Sequence, residues 1–275
     1  MNKIGINYYN GWNLKYDEQL KMLKEIGYDS FFTGHFTDKP GEERSTAAFA
    51  EAAAKYGLCY ESIHAPFDTI NDIWSTDEIG DVTLKRLTNC VEDCGKFGIP
   101  VTVVHLSSGL NPPHINDAGR LRFDKLVECA VKNNVTVAFE NQRRLGNLSF
   151  IMELYQDVKN VGFCWDVGHE ACFARGIEFM PLFGNRLVYT HIHDNTSIFN
   201  VDLHMLPYDG NINYDRTEEL LAKYLGDVSL TLEVFPEYKN DPHGKYAHMS
   251  AFEFHKTAFD KAVKLRERIN LKVDN

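Results

Sequence analysis

The chain has 275 residues, 44% apolar and 25% charged, and its 29 Lys and Arg against 39 Asp and Glu leave a net charge of −10. This length and composition fit one globular domain with a large core and exclude a disordered chain. The acidic balance repels polyanions and weighs against a nucleic-acid partner; no run of 18 apolar residues argues for a membrane span, and the opening MNKIGINYYN lacks the layout of a secretion signal, so a cytoplasmic address is expected.

In chain order, an apolar run at residues 4–9 precedes a helical pattern at 16–26 with Leu20, Met22, Leu23 and Ile26 on one side. Runs at 30–34 and 58–64 follow, then a helix at 81–97 carrying Cys90 and Cys94 four apart on one face. A strand at 101–106, a helix at 121–131 and strands at 135–140, 162–166 and 187–192 come next. A helix at 216–224, a strand at 229–234 and a helix at 251–269 complete the series. The six cysteines, Cys59, Cys90, Cys94, Cys129, Cys164 and Cys172, contain no CxxC pair, so reduced and mostly buried thiols are expected. Strand then helix, repeated without a linker or composition shift, demands right-handed crossovers and a helix-covered parallel sheet. Eight such units predict an α/β fold of the (β/α)8 TIM-barrel type, one domain over residues 1–275. No GxGxxG follows the first strand to favour an open doubly wound sheet.

Barrel strands are buried on both faces, so a polar side chain within one is costly unless paired or coordinated. Here such residues recur at one end of the strands. His64 closes CYESIH, His105 closes VTVVH, Glu140 closes VTVAFE, Asp166 and His169 end GFCWDVGH, His191 sits in VYTHIHDN and Glu233 closes LTLE. In a barrel the carboxyl ends of the strands converge on the face that carries active sites. Imidazoles and carboxylates are the ligand set of first-row divalent ions, and an ion explains how several acids share a dry pocket. His191 and His193 lie two apart and point to the same side. Depth along the strand places His191 deeper and His193 nearer the rim.

This pattern resembles the xylose isomerase-like TIM barrels, a superfamily of sugar-phosphate isomerases and epimerases, ketose 3-epimerases, inosose dehydratases and apurinic-site endonucleases with three zinc ions. The resemblance covers the third to eighth strands, about residues 58–235. His191 and Asp194 match the family's His-x-x-Asp, which also makes His193 the rim residue; WDVGH resembles its Asp-x-x-His, and VDLHMLPYDGNINY its Asp-x-His before a Pro and Gly turn, giving Asp202 and His204. The resemblance implies a core divalent metal (Mn, Zn, Mg, Co or Fe) held by Glu140, Asp166, His191 and Glu233. His64, His105, His169, Asp202 and His204 match the five further ligand positions of the endonucleases, positions that face substrate hydroxyls in sugar-active members.

A metal chelating a carbonyl and a neighbouring hydroxyl acidifies the C–H between them, so the expected function is metal-dependent isomerisation or epimerisation of a sugar or sugar phosphate through an enediolate. Glu140 and Glu233 are the expected acid/base pair, His169 a substrate-hydroxyl contact, and Tyr8, Trp12 and Phe67 an apolar wall. The rival is hydrolysis of a phosphodiester by a zinc-dependent apurinic-site endonuclease. It needs a cationic grip, for which Arg143, Arg144, Lys239 and Lys245 are the few candidates. The same cations could read a sugar phosphate. A non-catalytic ligand-binding barrel is disfavoured by the intact carboxylate pair. A small-molecule carbohydrate is the expected partner, and a homo-oligomer is expected by analogy.

Overall fold

The first strand, β1 (Ile4–Asn7), is buried throughout, as a strand covered on both faces must be. The computed structural model describes residues 2–37, 44–237 and 244–273, so Lys239 lies outside the described residues. Seven more strands follow: β2 (Ser30–Gly34), β3 (Cys59–His64), β4 (Val101–Val104), β5 (Thr136–Glu140), β6 (Val161–Asp166), β7 (Leu187–His191) and β8 (Leu230–Leu232). All seven ladders are parallel, in the order β7-β6-β5-β4-β3-β2-β1-β8. The two ends meet just past β7. Ile192 bridges Leu232, its N–H donating to Thr231 O at 2.8 Å, and Glu233 N–H donates to Ile192 O at 3.1 Å. The predicted closed barrel is therefore the observed fold.

Helices α1 (Tyr16–Ile26), α2 (Thr46–Tyr56), α3 (Ile79–Phe97), α4 (Asp117–Asn133), α5 (Leu145–Leu154), α6 (Val167–Phe173), α7 (Met180–Phe183) and α8 (Tyr214–Tyr224) lie in the crossovers, and α9 (Ala251–Val273) follows the last strand. Their ends follow local chemistry. Ser45 accepts from Ala48 N to start α2, Asn116 accepts from Gly119 N to start α4, and left-handed Gly57 and Gly98 end α2 and α3. The main core lies between strands and helices, while Val101, Val103, Ala138, Cys164 and Tyr189 form a smaller interior cluster. Several strands stop one or two residues short of the predicted runs. His105 and Glu233 thus leave the ladder and turn into the mouth. All six cysteines are free thiols, four of them buried. No helix among the described residues is long and apolar enough to cross a membrane.

Candidate active site

The strands deliver nine chemically active side chains to one mouth. His64, Glu140, Asp166 and His191 end β3, β5, β6 and β7; His105 and Glu233 follow β4 and β8 by one residue; His169 lies in the first turn of α6; Asp202 and His204 come from the loop before α8. Glu140 is central and 1% exposed. Its Oε2 is 2.6 Å from His105 Nε2 and 3.3 Å from His64 Nε2, and its Oε1 is 3.0 Å from His191 Nδ1 and 3.3 Å from His169 Nδ1. His191 Nδ1 is also 3.2 Å from Glu233 Oε2 and 3.8 Å from Asp166 Oδ2. A second lobe joins His169 Nε2 to Asp202 Oδ2 at 3.3 Å and Asp202 Oδ2 to His204 Nε2 at 3.0 Å. All nine residues expected from the sequence converge.

Neighbours outside that expectation hold the cluster in shape. The Asn141 side chain clasps the Asp166 backbone in both directions, each bond 2.8 Å, and the Asp166 carboxylate accepts from His169 N as the N-cap of α6. The Gln142 amide nitrogen lies 3.2 Å from His105 Nε2 and 3.0 Å from His169 Nδ1. Phe32 stacks on the His191 ring at 4.9 Å. Asn7 marks the end of β1 as the histidines mark theirs, a signal the sequence contained. Nothing in the sequence singled out Gln142 or Phe32.

His193 does not stand exposed at the rim but is as buried as His191. It is fully buried, with Nε2 3.0 and 3.2 Å from the Asp166 oxygens and its ring stacked 4.0 Å from that of His204. Counting depth along the strand ignores the segment that folds back over it, where Asp194 bridges Met205. Asp194 itself ties that return, accepting from the backbone N–H of Asn195, Gly210 and Ile212.

Burial alone would push the Glu140 carboxyl up, yet the imidazoles of His105, His191 and His169 hold it well below the usual range. Asp202 is held well down in the same way by His204 and His169, and Glu233 is lowered by His191 and His204, each against its own burial. Burial works the other way on the imidazoles. The carboxylates nonetheless hold His191 and His204 up at about 9 and raise His169, whereas burial wins at His105 and lowers it.

Four polar atoms of the cluster are left for a partner other than the protein. His105 Nδ1, His191 Nε2, His193 Nδ1 and Asp202 Oδ1 are buried without a hydrogen-bond partner among the described residues. Candidate ligand atoms lie within 4.8 Å of one another in His64–His105–Glu140, His64–His191–Glu233, Glu140–Cys164–His191, His169–Asp202–His204 and His193–His204–Glu233. These nitrogen and oxygen donors fit a divalent ion of the first transition row. Cys164, expected to be a structural thiol, lies within reach of the same centre.

The cluster opens onto a cavity of about 640 Å³. Tyr8, Phe36, Phe67, Phe173 and Phe235 give it an aromatic wall, and Asn7, Arg86 and Arg143 are among its polar lining. Tyr8 and Phe67 stand as expected, Phe67 4.6 Å from the His105 ring. Trp12 does not line the cavity. Its ring packs behind the wall against Tyr9, Phe254 and His255, because the chain turns outward after β1. Arg144 lines a separate recess with His114, and Lys245 is engaged by Asp209, so of the expected loop cations among the described residues only Arg143 reaches the mouth.

Residues 13–255 match the family model described as a xylose isomerase-like TIM barrel. An uncharacterised protein, y4fM, of Sinorhizobium fredii is 27% identical over 92% of this chain and 91% of its own. A probable endonuclease 4 of Cenarchaeum symbiosum is 28% identical over 53% of this chain and 52% of its own. Among solved structures, the IolI protein with a bound zinc atom superposes with a TM-score of 0.77 at 19% identity, covering 97% of this chain and 99% of that one. A D-psicose 3-epimerase of Clostridium cellulolyticum H10 gives a TM-score of 0.72 at 15% identity, covering 96% of this chain and 99% of that one. With the family model spanning nearly all of the barrel, the chain belongs to the xylose isomerase-like TIM barrel family.

Proposed function

We propose that the protein is a divalent-metal-dependent epimerase or isomerase of a sugar or sugar phosphate, acting through an enediolate. The observation that carries this reading is the pair of carboxylates, Glu140 and Glu233, set on different walls of one mouth and both within 3.2 Å of the His191 ring nitrogen. The epimerase fold neighbours support it. Glu140, Asp166, His191 and Glu233 would hold the ion, and the ion would polarise the substrate carbonyl and so acidify the adjacent C–H. Glu233 lines the cavity and takes the proton at its carboxylate. Glu140, facing it from β5, is the second member of the acid/base pair. His169 lines the same cavity and contacts a substrate hydroxyl, while Tyr8 and Phe67 seat the apolar face of the ring and exclude water.

A second reading, phosphodiester hydrolysis at an abasic site, draws on His64, His105, His169, Asp202 and His204 beside the core four and on the relative of endonuclease type. The net charge of −10 and the placement of Arg144 and Lys245 away from the mouth rank it lower. The deciding experiment incubates the metal-loaded protein with a panel of ketoses and ketose phosphates in D2O and follows deuterium wash-in at carbon by NMR. Exchange is expected in the wild type and absent in Glu140→Gln and Glu233→Gln, with unchanged circular dichroism. Full exchange in either variant removes the acid/base assignment. Cleavage of an abasic duplex with no exchange on any sugar overturns the isomerase reading.

A further inference from the structure

Two arginines line the mouth, and they differ in how their charge is met. Arg86 is forked onto Asp68, with Nη2–Oδ1 2.6 Å and Nη1–Oδ2 3.1 Å. Arg143, three residues beyond Glu140, forms no ion pair with a carboxylate among the described residues. Its Nη2 donates to the neutral side chain of Asn200, and its Nε is buried with no acceptor among the described residues. A guanidinium carries five N–H donors and cannot shed its charge at working pH, so a half-buried one met by a single amide is under-satisfied.

Its position is nonetheless fixed. The guanidinium carbon lies 3.7 Å from the centroid of the Phe173 ring, which sets the plane, and Asn200 sets the edge. Asn200 adopts a left-handed backbone, φ 62°, and its N–H donates to Cys172 O at 3.0 Å, so the acceptor is presented by a locked turn. The other face of the arrangement reaches the metal cluster, since Phe173 also stacks on His169 at 4.8 Å. A charged fork, held flat, short of acceptors and one aromatic layer from the chemistry, is built to receive a planar or tetrahedral oxyanion.

We propose that Arg143 is the specificity-determining anchor for an anionic group, and that the substrate is an acidic sugar, either a phosphate monoester or a sugar carboxylate, in preference to a neutral one. The identity as a sugar rests on the isomerase reading above; the anion contact does not. Phosphate and carboxylate offer the fork the same pair of acceptor oxygens, so the experiment must tell them apart.

The test is isothermal titration of the metal-loaded protein with fructose, fructose 6-phosphate, fructuronate and inorganic phosphate, in the wild type and in three variants. Arg143→Met keeps the stem on Phe173 and removes the charge; Arg143→Lys keeps the charge and loses the fork; Asn200→Ala keeps the arginine and removes the acceptor that sets its edge. In the wild type at least one acidic sugar should bind tenfold or more tighter than fructose, and which one does names the anion. Arg143→Met should cost that ligand tenfold or more while leaving fructose within twofold, Arg143→Lys should recover only part, and Asn200→Ala should lose several-fold. Equal loss for fructose and its acidic derivatives would make Arg143 structural and overturn the proposal. So would a wild type that binds none of the anions, or an Arg143→Met that binds them unchanged. Because binding is read without turnover, a protein that prefers the acidic sugar yet exchanges no deuterium sinks only the isomerase reading. One that exchanges deuterium with no charge preference sinks only this one.

Discussion

Gly168 sits in α6 beneath His193, and replacing it with alanine tests how tightly the site is assembled. The position does not need glycine for its backbone, since its φ is not positive. Helix propensity alone would favour alanine by about 0.5–1 kcal/mol. A Cβ there, however, would lie 2.5 Å from His193 Nε2 and nearer still to Cε1 and Nδ1. The ring has no room to retreat. Asp166 holds its edge, His204 covers its face at 4.0 Å, Tyr214 donates to its backbone carbonyl at 3.2 Å, and the residue is fully buried. Overpacking of this kind costs roughly 1–3 kcal/mol, so the net loss should be about 1–2 kcal/mol, read as a lower urea midpoint at unchanged slope. His193 also contacts Asp166, a proposed metal ligand, and disturbing the partner of such a ligand should lower metal affinity by about 10–100-fold, measurable by competition with a metal chelator. In the double variant Gly168→Ala/His193→Ala the new methyl has space, so its stability should exceed the sum of the two singles by about the size of the clash. Wild-type stability and metal affinity in Gly168→Ala, or strict additivity in the double variant within about 0.5 kcal/mol, would refute this reasoning.

Two further outcomes follow from buried groups away from the mouth. His255 is 1% exposed and burial pushes its imidazole down to about 3, so the unfolded chain, with an ordinary value near ~6.5, binds a proton that the native state refuses. Stability contributed by the neutral ring is therefore present above about pH 6.5 and lost as pH falls toward 3, roughly 2.7 kcal/mol by about pH 4.5. In urea titrations the gap between wild type and His255→Gln should narrow by about that amount between pH 7 and about 4.5, and parallel curves would contradict the assignment. Arg122 caps the turn before α3 by donating to Ile73 O at 3.0 Å, to Asp77 O at 2.8 Å and to Ser75 O. Lysine cannot reproduce that fork, so Arg122→Lys should lose roughly 2–4 kcal/mol in urea unfolding; a loss below about 0.5 kcal/mol would mean that water replaces it.

The architecture and seven of the nine site positions were legible because two signals coincide, apolar runs that must be buried and acids or imidazoles at their carboxyl ends, whereas Asp202 and His204, which lie in a loop, were reached through the resemblance alone. Glu140 after VTVAF and His105 after VTVV carry both at once. What escaped lies where a side chain's role depends on a partner remote in sequence. Gln142 matters because it falls between His105 and His169, and no spacing rule announces a neutral amide. Trp12 looked like wall because it follows the first strand closely, but β1 ends at Asn7 and the tryptophan is carried behind the mouth toward α9. His193 looked like rim because the segment from Asp202 to Ile212 had no predicted structure, and that segment is what buries it. Asn7 ends β1 as the histidines end their strands, but a neutral amide carries neither the charge nor the ligand chemistry that marks the others.

The sheet closes through a short join, the Ile192 bridge to Leu232 and the Glu233 amide, and that join lies between two of the proposed ligands, His191 and Glu233. An ion gripped there, with Glu140 and Asp166 on the neighbouring staves, would act as a buckle across the last seam of the cylinder. Loading the centre and fastening the fold would then be one event, and the protein's tolerance of heat would be tied to its supply of metal.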